Sequence, residues 1–183
     1  MQQKDSNLDV GCGANKTEGC LGIDRVSLPD VDIVHDLDLI PWPIENSKFD
    51  NIFANHFLEH SKDIIKTLAE LHRITKNNGK IYIRVPHYTS DNFYSDLTHK
   101  TAFAWRSFDH FSINGKIDYN FYEPFKFEIL ERRIYLLNPK LKLNPFKLSG
   151  IEYLANKFPR VYERFLAYII PASELFFCLR VIK

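Results

Sequence analysis

Leu8-Asp9-Val10-Gly11-Cys12-Gly13 runs a short apolar strand into a glycine turn. Gly-x-Gly after a strand permits a tight turn and lets a ligand approach the backbone closely. A dinucleotide fingerprint would place a third glycine at position 16, where Lys16 stands. The pyrophosphate of such a ligand also wants a helix N-terminus behind the turn. Between Gly11 and Leu21 there is room for one helical turn at most. Asp9 would repel a pyrophosphate but suits a cationic ligand group, such as the amino group of a methionine moiety.

The next strand, Leu21–Asp24, ends on Gly22-Ile23-Asp24, where a carboxylate accepts ribose hydroxyls. A third strand over 31–35 leads into Asp36-Leu37-Asp38, where an adenine edge would lie. Three acids at successive strand ends beside a glycine turn mark one ligand crevice, since open α/β sheets bind ligands at strand C-termini. Residues 40–47 carry Pro41, Pro43, Asn46 and Ser47 and read as loop. Phe49–Asn55 is a fourth strand. A helix capped by Ser61 or Asp63 is predicted to run to about Asn77, with Ile64, Leu68, Leu71 and Ile74 as its apolar stripe and Gly79 as its stop. Lys80–Val85 is a fifth strand. Residues 87–124 are irregular with short helices. Phe127–Leu137 is a sixth strand, Ile151–Ile170 a helix starting or kinking at Pro159, and Leu175–Ile182 a last strand. Strands alternating with helices predict an α/β fold with a largely parallel sheet.

The chain has 183 residues, within the usual range for one domain. Hydrophobic residues make up 45% and charged residues 26%, which excludes disordered and collagen-like classes. A net charge of +1 argues against a basic tether for nucleic acid. Residues 126–183 nonetheless hold 11 Lys/Arg against 5 Asp/Glu, a face suited to an anionic partner if it is not simply solvated. Three cysteines without CxxC spacing predict neither a disulfide framework nor a structural zinc site. The polar start and the absence of an apolar run long enough to span a bilayer lead to the expectation of a cytoplasmic protein with no membrane span.

LDVGCG, GID, the stretch from DLDLIPWPIENSKFDNIFANHFLEH and ITKNNGKIYIRVPH together resemble the class I S-adenosylmethionine-dependent methyltransferases, in particular the type-11 group. A bacterial and archaeal subset with a shortened first connection is similar again around THKTAFAWRSFDHF and PASELFFCLRVIK. The resemblance implies one methyltransferase domain over residues 1–183. It would have a Rossmann-like seven-stranded, mostly parallel sheet with helices on both faces and an antiparallel last strand. It implies S-adenosyl-L-methionine as cofactor. Gly11, Cys12 and Gly13 would meet its methionine part, Asp9 its ammonium and Asp24 its ribose. Asp36 and Leu37 would flank the adenine, and Asn55 would complete the set. It further implies a small-molecule acceptor, such as a sugar or glycan precursor, and is compatible with a homodimer. With the first helix cut away, residues 87–124 are the segment free to cover the acceptor.

His56-x-x-Glu59-His60 matches an inverted zinc-protease pattern, but it follows a strand inside a nucleotide-binding order. Some quinone-type O-methyltransferases hold a divalent ion at this turn, with an acid where His56 stands here; no metal is expected. Asn55-His56-Phe57-Leu58 also lacks the Pro-Pro-aromatic grip of base amino methyltransferases. His87, at a strand end, and His99 are the expected proton acceptors for a hydroxyl. Phe103, Trp105, Phe108 and Phe111 read as core or lid packing, and Arg84, Lys100 and Arg106 as a group for an anionic acceptor. A binding module holding the cofactor without chemistry is the competing reading.

Overall fold

Val10, Ile23, Ile52 and Ile83 are fully buried, because each lies in a strand covered on both faces. The computed structural model describes residues 6–115, 124–139, 141 and 143–183. Its strands are β1 (Asn7–Val10), β2 (Leu21–Asp24), β3 (Ile33–Val34), β4 (Phe49–Asn55), β5 (Thr75–Pro86), β6 (Lys126–Tyr135) and β7 (Glu174–Ile182). They form one seven-stranded sheet in the order β3-β2-β1-β4-β5-β7-β6. β1 pairs in parallel with β2 and β4, β2 with β3, and β4 with β5, while β7 runs antiparallel to both β5 and β6. This is the Rossmann-like α/β layout with the expected antiparallel last strand. The sheet order reverses beside β1, so the ends of β1 and β4 open a crevice.

No helix separates β1 from β2. Hydrogen bonds to two acids hold this connection instead. Asp9 accepts from the Thr17 amide at 2.6 Å, and Asp32 accepts from the Gly22 amide and from Lys16 Nζ, both at 2.7 Å. The connection is tight: a Cβ at Gly22 would lie 2.7 Å from Lys16 Cδ and 2.8 Å from Cys12 Sγ.

Helix α1 (Ile64–Ile74) is capped by Asp63, which accepts from the Lys66 amide, and buries Leu68, Leu71 and Ile74. It stops three residues short of the expected Asn77. Thr75 Oγ1 donates to the Leu71 carbonyl at 2.6 Å while its backbone turns extended, so β5 starts there. Asn78, not Gly79, takes the left-handed conformation (φ 63°). Gly79 is needed for close approach instead, since a Cβ would stand 2.6 Å from Thr75 Cγ2 and 3.0 Å from the Asp50 carbonyl oxygen.

The loop over 40–47 is pinned from below. Buried Glu70 accepts from the Trp42 amide (2.6 Å) and pairs with Arg73 (2.6 Å), whose guanidinium donates to the Ile44 carbonyl and Asn46 Oδ1. Glu70→Ala should cost about 1–3 kcal/mol, because a buried amide and a charged partner lose their acceptor together. Urea unfolding at constant m-value measures it. A loss under about 0.5 kcal/mol would mean that the loop is held by Trp42 packing alone.

Beyond β5 lie α2 (Asp91–Ser95), α3 (Pro145–Leu148), α4 (Ile151–Lys157) and α5 (Pro159–Val161); the helix expected over 151–170 is interrupted at Phe158, before Pro159, and continues as a π-turn over Tyr162–Leu166. Phe103 and Phe108 stack within the core, and Phe108 meets Phe177 edge-on at 4.7 Å. Part of the expected 87–124 cover lies outside the described residues. Among the described residues, no helix is long and apolar enough to cross a membrane.

Candidate active site

Gly11 closes β1 in the left-handed region (φ 67°), and its amide donates to the Ile23 carbonyl at 2.9 Å. A Cβ there would overlap the Phe57 side chain at 2.8–3.0 Å. Gly13, also left-handed, has open space where its Cβ would be, and its amide donates to Asp24 Oδ2 at 2.9 Å. Asp24 Oδ1 accepts from the Val26 amide at 3.0 Å, so one carboxylate ties both turns. Asp9 is buried, and burial pushes its carboxyl above the ordinary range. Burial likewise lifts the Cys12 thiol to about 11, keeping it protonated and unreactive at neutral pH.

Two cavities flank this turn. One, about 520 Å³, is lined by Gly11, Asp24, Asp36, Leu37, His56, Phe57 and Lys100 among others. The other, about 860 Å³, is lined by Asp9, Gly11, Cys12, Gly13, Asn55, His56, Arg84 and Glu174 among others. All eight residues expected to hold the cofactor line one cavity or the other, and Gly11 and His56 line both.

The two histidines expected as proton acceptors line neither. His87 has no exposed surface. Its Nδ1 accepts from the Thr89 amide (3.2 Å), its Nε2 faces Glu163 at 3.4 Å, and its ring packs on Tyr88. A pairing of His87 with Phe103 turns this strand end inward. His99 gives Nδ1 to the Phe93 carbonyl and points Nε2 towards Glu59 at 3.9 Å.

His56 lines both cavities, and His60 lines the first. The His56 imidazole is the one at their junction. It sits at a left-handed position (φ 52°), with Nδ1 3.4 Å from Glu59 and Nε2 3.3 Å from Glu174. Those two carboxylates, Glu174 foremost, raise its pKa to about 9. Glu174 also takes Arg84 Nη1 at 2.5 Å. Sequence reasoning had given no role to Glu174, which lies far along the chain in an apolar strand; only the β5–β7 register brings it here. Arg84, Lys100 and Arg106 do not gather. Arg84 serves Glu174, Lys100 donates to the His60 carbonyl, and Arg106 pairs with Asp109.

Residues 8–83 match the family described as "Methyltransferase domain". No curated protein matches the chain. A chain from the complex between a Haloferax volcanii methyltransferase activator and its methyltransferase superposes with a TM-score of 0.59 at 15% identity, covering 100% of this chain and 85% of that one. A SAM-dependent methyltransferase from Archaeoglobus fulgidus gives 0.56 at 19% identity, covering 96% and 86%. The YcgJ protein of Bacillus subtilis gives 0.57 at 11% identity, covering 98% and 92%. Such identities speak for the fold, while the family match falls on the β1–β5 stretch that carries the glycine turn and the strand-end acids. The chain thus carries a methyltransferase-domain match over residues 8–83 and shares its fold with S-adenosylmethionine-dependent methyltransferases.

Proposed function

We propose that the chain binds S-adenosylmethionine as methyl donor and transfers its methyl group to a hydroxyl of a small, polar, sugar-like acceptor. The observation that carries this reading is the meeting of the two cavities at Gly11 and His56. The adenosine would lie along Asp24, Asp36 and Leu37, with the methionine part along Asp9, Gly13 and Asn55. The sulfonium then falls at the junction. In the reaction the acceptor oxygen bonds the methyl carbon, the carbon–sulfur bond breaks, a neutral thioether leaves, and the hydroxyl proton passes to solvent or a base. The sulfonium is already activated, so alignment supplies much of the rate. Arg84, Glu174 and the Asn55 amide offer the mixed donors and acceptors that a polyhydroxyl ligand pairs with. Residues 87–124 would serve the acceptor side of a single domain.

The test is transfer of labelled methyl from S-adenosylmethionine to a panel of sugars and sugar nucleotides. An O-methyl product supports the reading, and an N-methyl product overturns the hydroxyl assignment. Tight S-adenosylhomocysteine binding with no turnover on any acceptor favours the non-catalytic module.

His56 lies where donor and acceptor meet, and a misplaced acceptor can lose about a hundredfold in rate. His56→Ala should therefore lower kcat roughly 10–100-fold and leave S-adenosylhomocysteine affinity within about threefold. Unchanged kcat would remove His56 from the reaction end.

A further inference from the structure

We infer that Glu59, His60 and His99 form a binding site for one first-row divalent transition-metal ion. Each offers a ligand atom, and the three atoms lie within 4.8 Å of one another. Glu59 has no exposed surface, and neither of its carboxylate oxygens has a hydrogen-bond partner. A buried carboxylate left in that state is costly unless a cation meets it.

The two imidazoles are held in the form that a metal needs. The Phe93 carbonyl can only accept, so His99 Nδ1 carries a proton and donates to it at 2.9 Å, and the neutral ring has its lone pair on Nε2, towards Glu59. Thr98 donates its hydroxyl proton to Asp96 Oδ1 at 2.7 Å, so its own Oγ1 accepts from His60 Nδ1 at 2.8 Å. His60 is thereby left with its lone pair on Nε2. A hydrogen bond from the far ring nitrogen to a carbonyl, or through a hydroxyl to a carboxylate, is the outer support that metal-ligating histidines use. The backbone locks the two segments together, because the Lys100 and Thr101 amides both donate to the Glu59 carbonyl, at 2.7 and 3.3 Å.

Two neutral imidazoles and one carboxylate suit zinc, manganese, iron or cobalt, whereas magnesium and calcium prefer oxygen alone. Ligands about 2.1 Å from an ion stand closer together than these three atoms do, so binding draws the side chains inward by rotation. The charged groups facing the site are His56, whose Nδ1 is 3.4 Å from Glu59, Asp96, whose Oδ2 is 3.8 Å from His99 Nε2, and Lys100, bonded to the His60 carbonyl. His56 is the rival partner for Glu59. His60 also lines the first cavity, so the ion sits in its wall. There a Lewis acid would lower the pKa of an acceptor hydroxyl. That consequence, unlike the site itself, rests on the O-methylation reading.

The test uses the full chain stripped with a chelator and dialysed. Cobalt(II) is titrated in visible absorption and zinc by calorimetry, and S-adenosylhomocysteine binding on the same samples reports that each protein is folded. The wild type should take up one equivalent of either ion, and His99→Ala and Glu59→Gln should lose affinity by about 100-fold or more. Both variants should still bind S-adenosylhomocysteine. Ligand concentrations 100-fold above Kd should raise the wild-type melting temperature by about 5–10 °C. A wild type that binds S-adenosylhomocysteine but neither ion overturns the metal site and leaves the donor assignment standing; Glu59 is then the counterion of His56. Equal metal binding by wild type and His99→Ala also overturns it.

Discussion

Gly11→Ala is expected to abolish measurable donor binding and to cost about 2–5 kcal/mol of folding stability. Two independent penalties act on the new methyl group. The backbone at Gly11 is left-handed (φ 67°), and an L side chain there costs about 1–2 kcal/mol. The added carbon also lies 2.8 Å from Phe57 Cδ2 and 2.9 Å from Phe57 Cβ, closer than side-chain carbons approach one another. Overpacking of that kind typically costs about 1–3 kcal/mol. Phe57 has little freedom to yield, because its ring meets buried Trp42 edge-on at 6.4 Å. If it swings outward, it enters the first cavity, whose wall it forms, and would displace a donor seated there as proposed. Gly13→Ala is the control. Gly13 is also left-handed, but its Cβ would meet nothing within 4 Å, so only the conformational cost applies to folding. Urea unfolding gives the two stabilities, and calorimetry with S-adenosylhomocysteine the two affinities. If the two variants lose the same stability within about 0.5 kcal/mol, the Phe57 contact does not govern Gly11.

The crevice at the strand ends was legible because its determinants are local. Asp9, Gly11, Gly13, Asp24 and Asp36 stand at or just beyond the ends of successive strands, and a parallel sheet places such ends along one edge. Placing the crevice needed only strand periodicity and the glycine turn, while the role of each residue in it came from the family resemblance. The acceptor side was not legible, for a physical reason. His87 and His99 were chosen by their place in an irregular segment, and position alone does not say which way a ring turns. The His87 imidazole is buried between the rings of Tyr88 and Tyr162. His56 owes its setting to Glu59 on its own turn and to Glu174 on a strand far along the chain. The Arg84–Glu174 pair likewise joins residues whose only link is the antiparallel register of β5 and β7. The end of α1 was missed on a smaller scale, since a threonine hydroxyl, not a glycine, satisfies its last turn.

Asp24→Ala should weaken S-adenosylhomocysteine binding by about 3 kcal/mol, a hundredfold or more in Kd. Each hydrogen bond to a charged carboxylate contributes about 1.5–3 kcal/mol, and in the proposed placement a ribose would present two hydroxyls to this acid. The carboxylate is already placed for them, because amides from two turns hold it: Gly13 at 2.9 Å on one oxygen and Val26 at 3.0 Å on the other. Each oxygen keeps a second lone pair for the ligand. The same bonds separate a folding effect from a binding effect. Losing them should cost the fold about 1–2 kcal/mol in total, as both amides sit near solvent and recover water as a partner. Asp24→Asn keeps the shape and one acceptor oxygen but loses the charge, so its affinity should fall between wild type and Asp24→Ala. NAD should not bind any of the three proteins, since Lys16 stands where a dinucleotide turn wants glycine and pairs with Asp32 instead. An unchanged Kd for folded Asp24→Ala would move the ribose away from β2, and the donor would then have to lie across the crevice in the opposite sense.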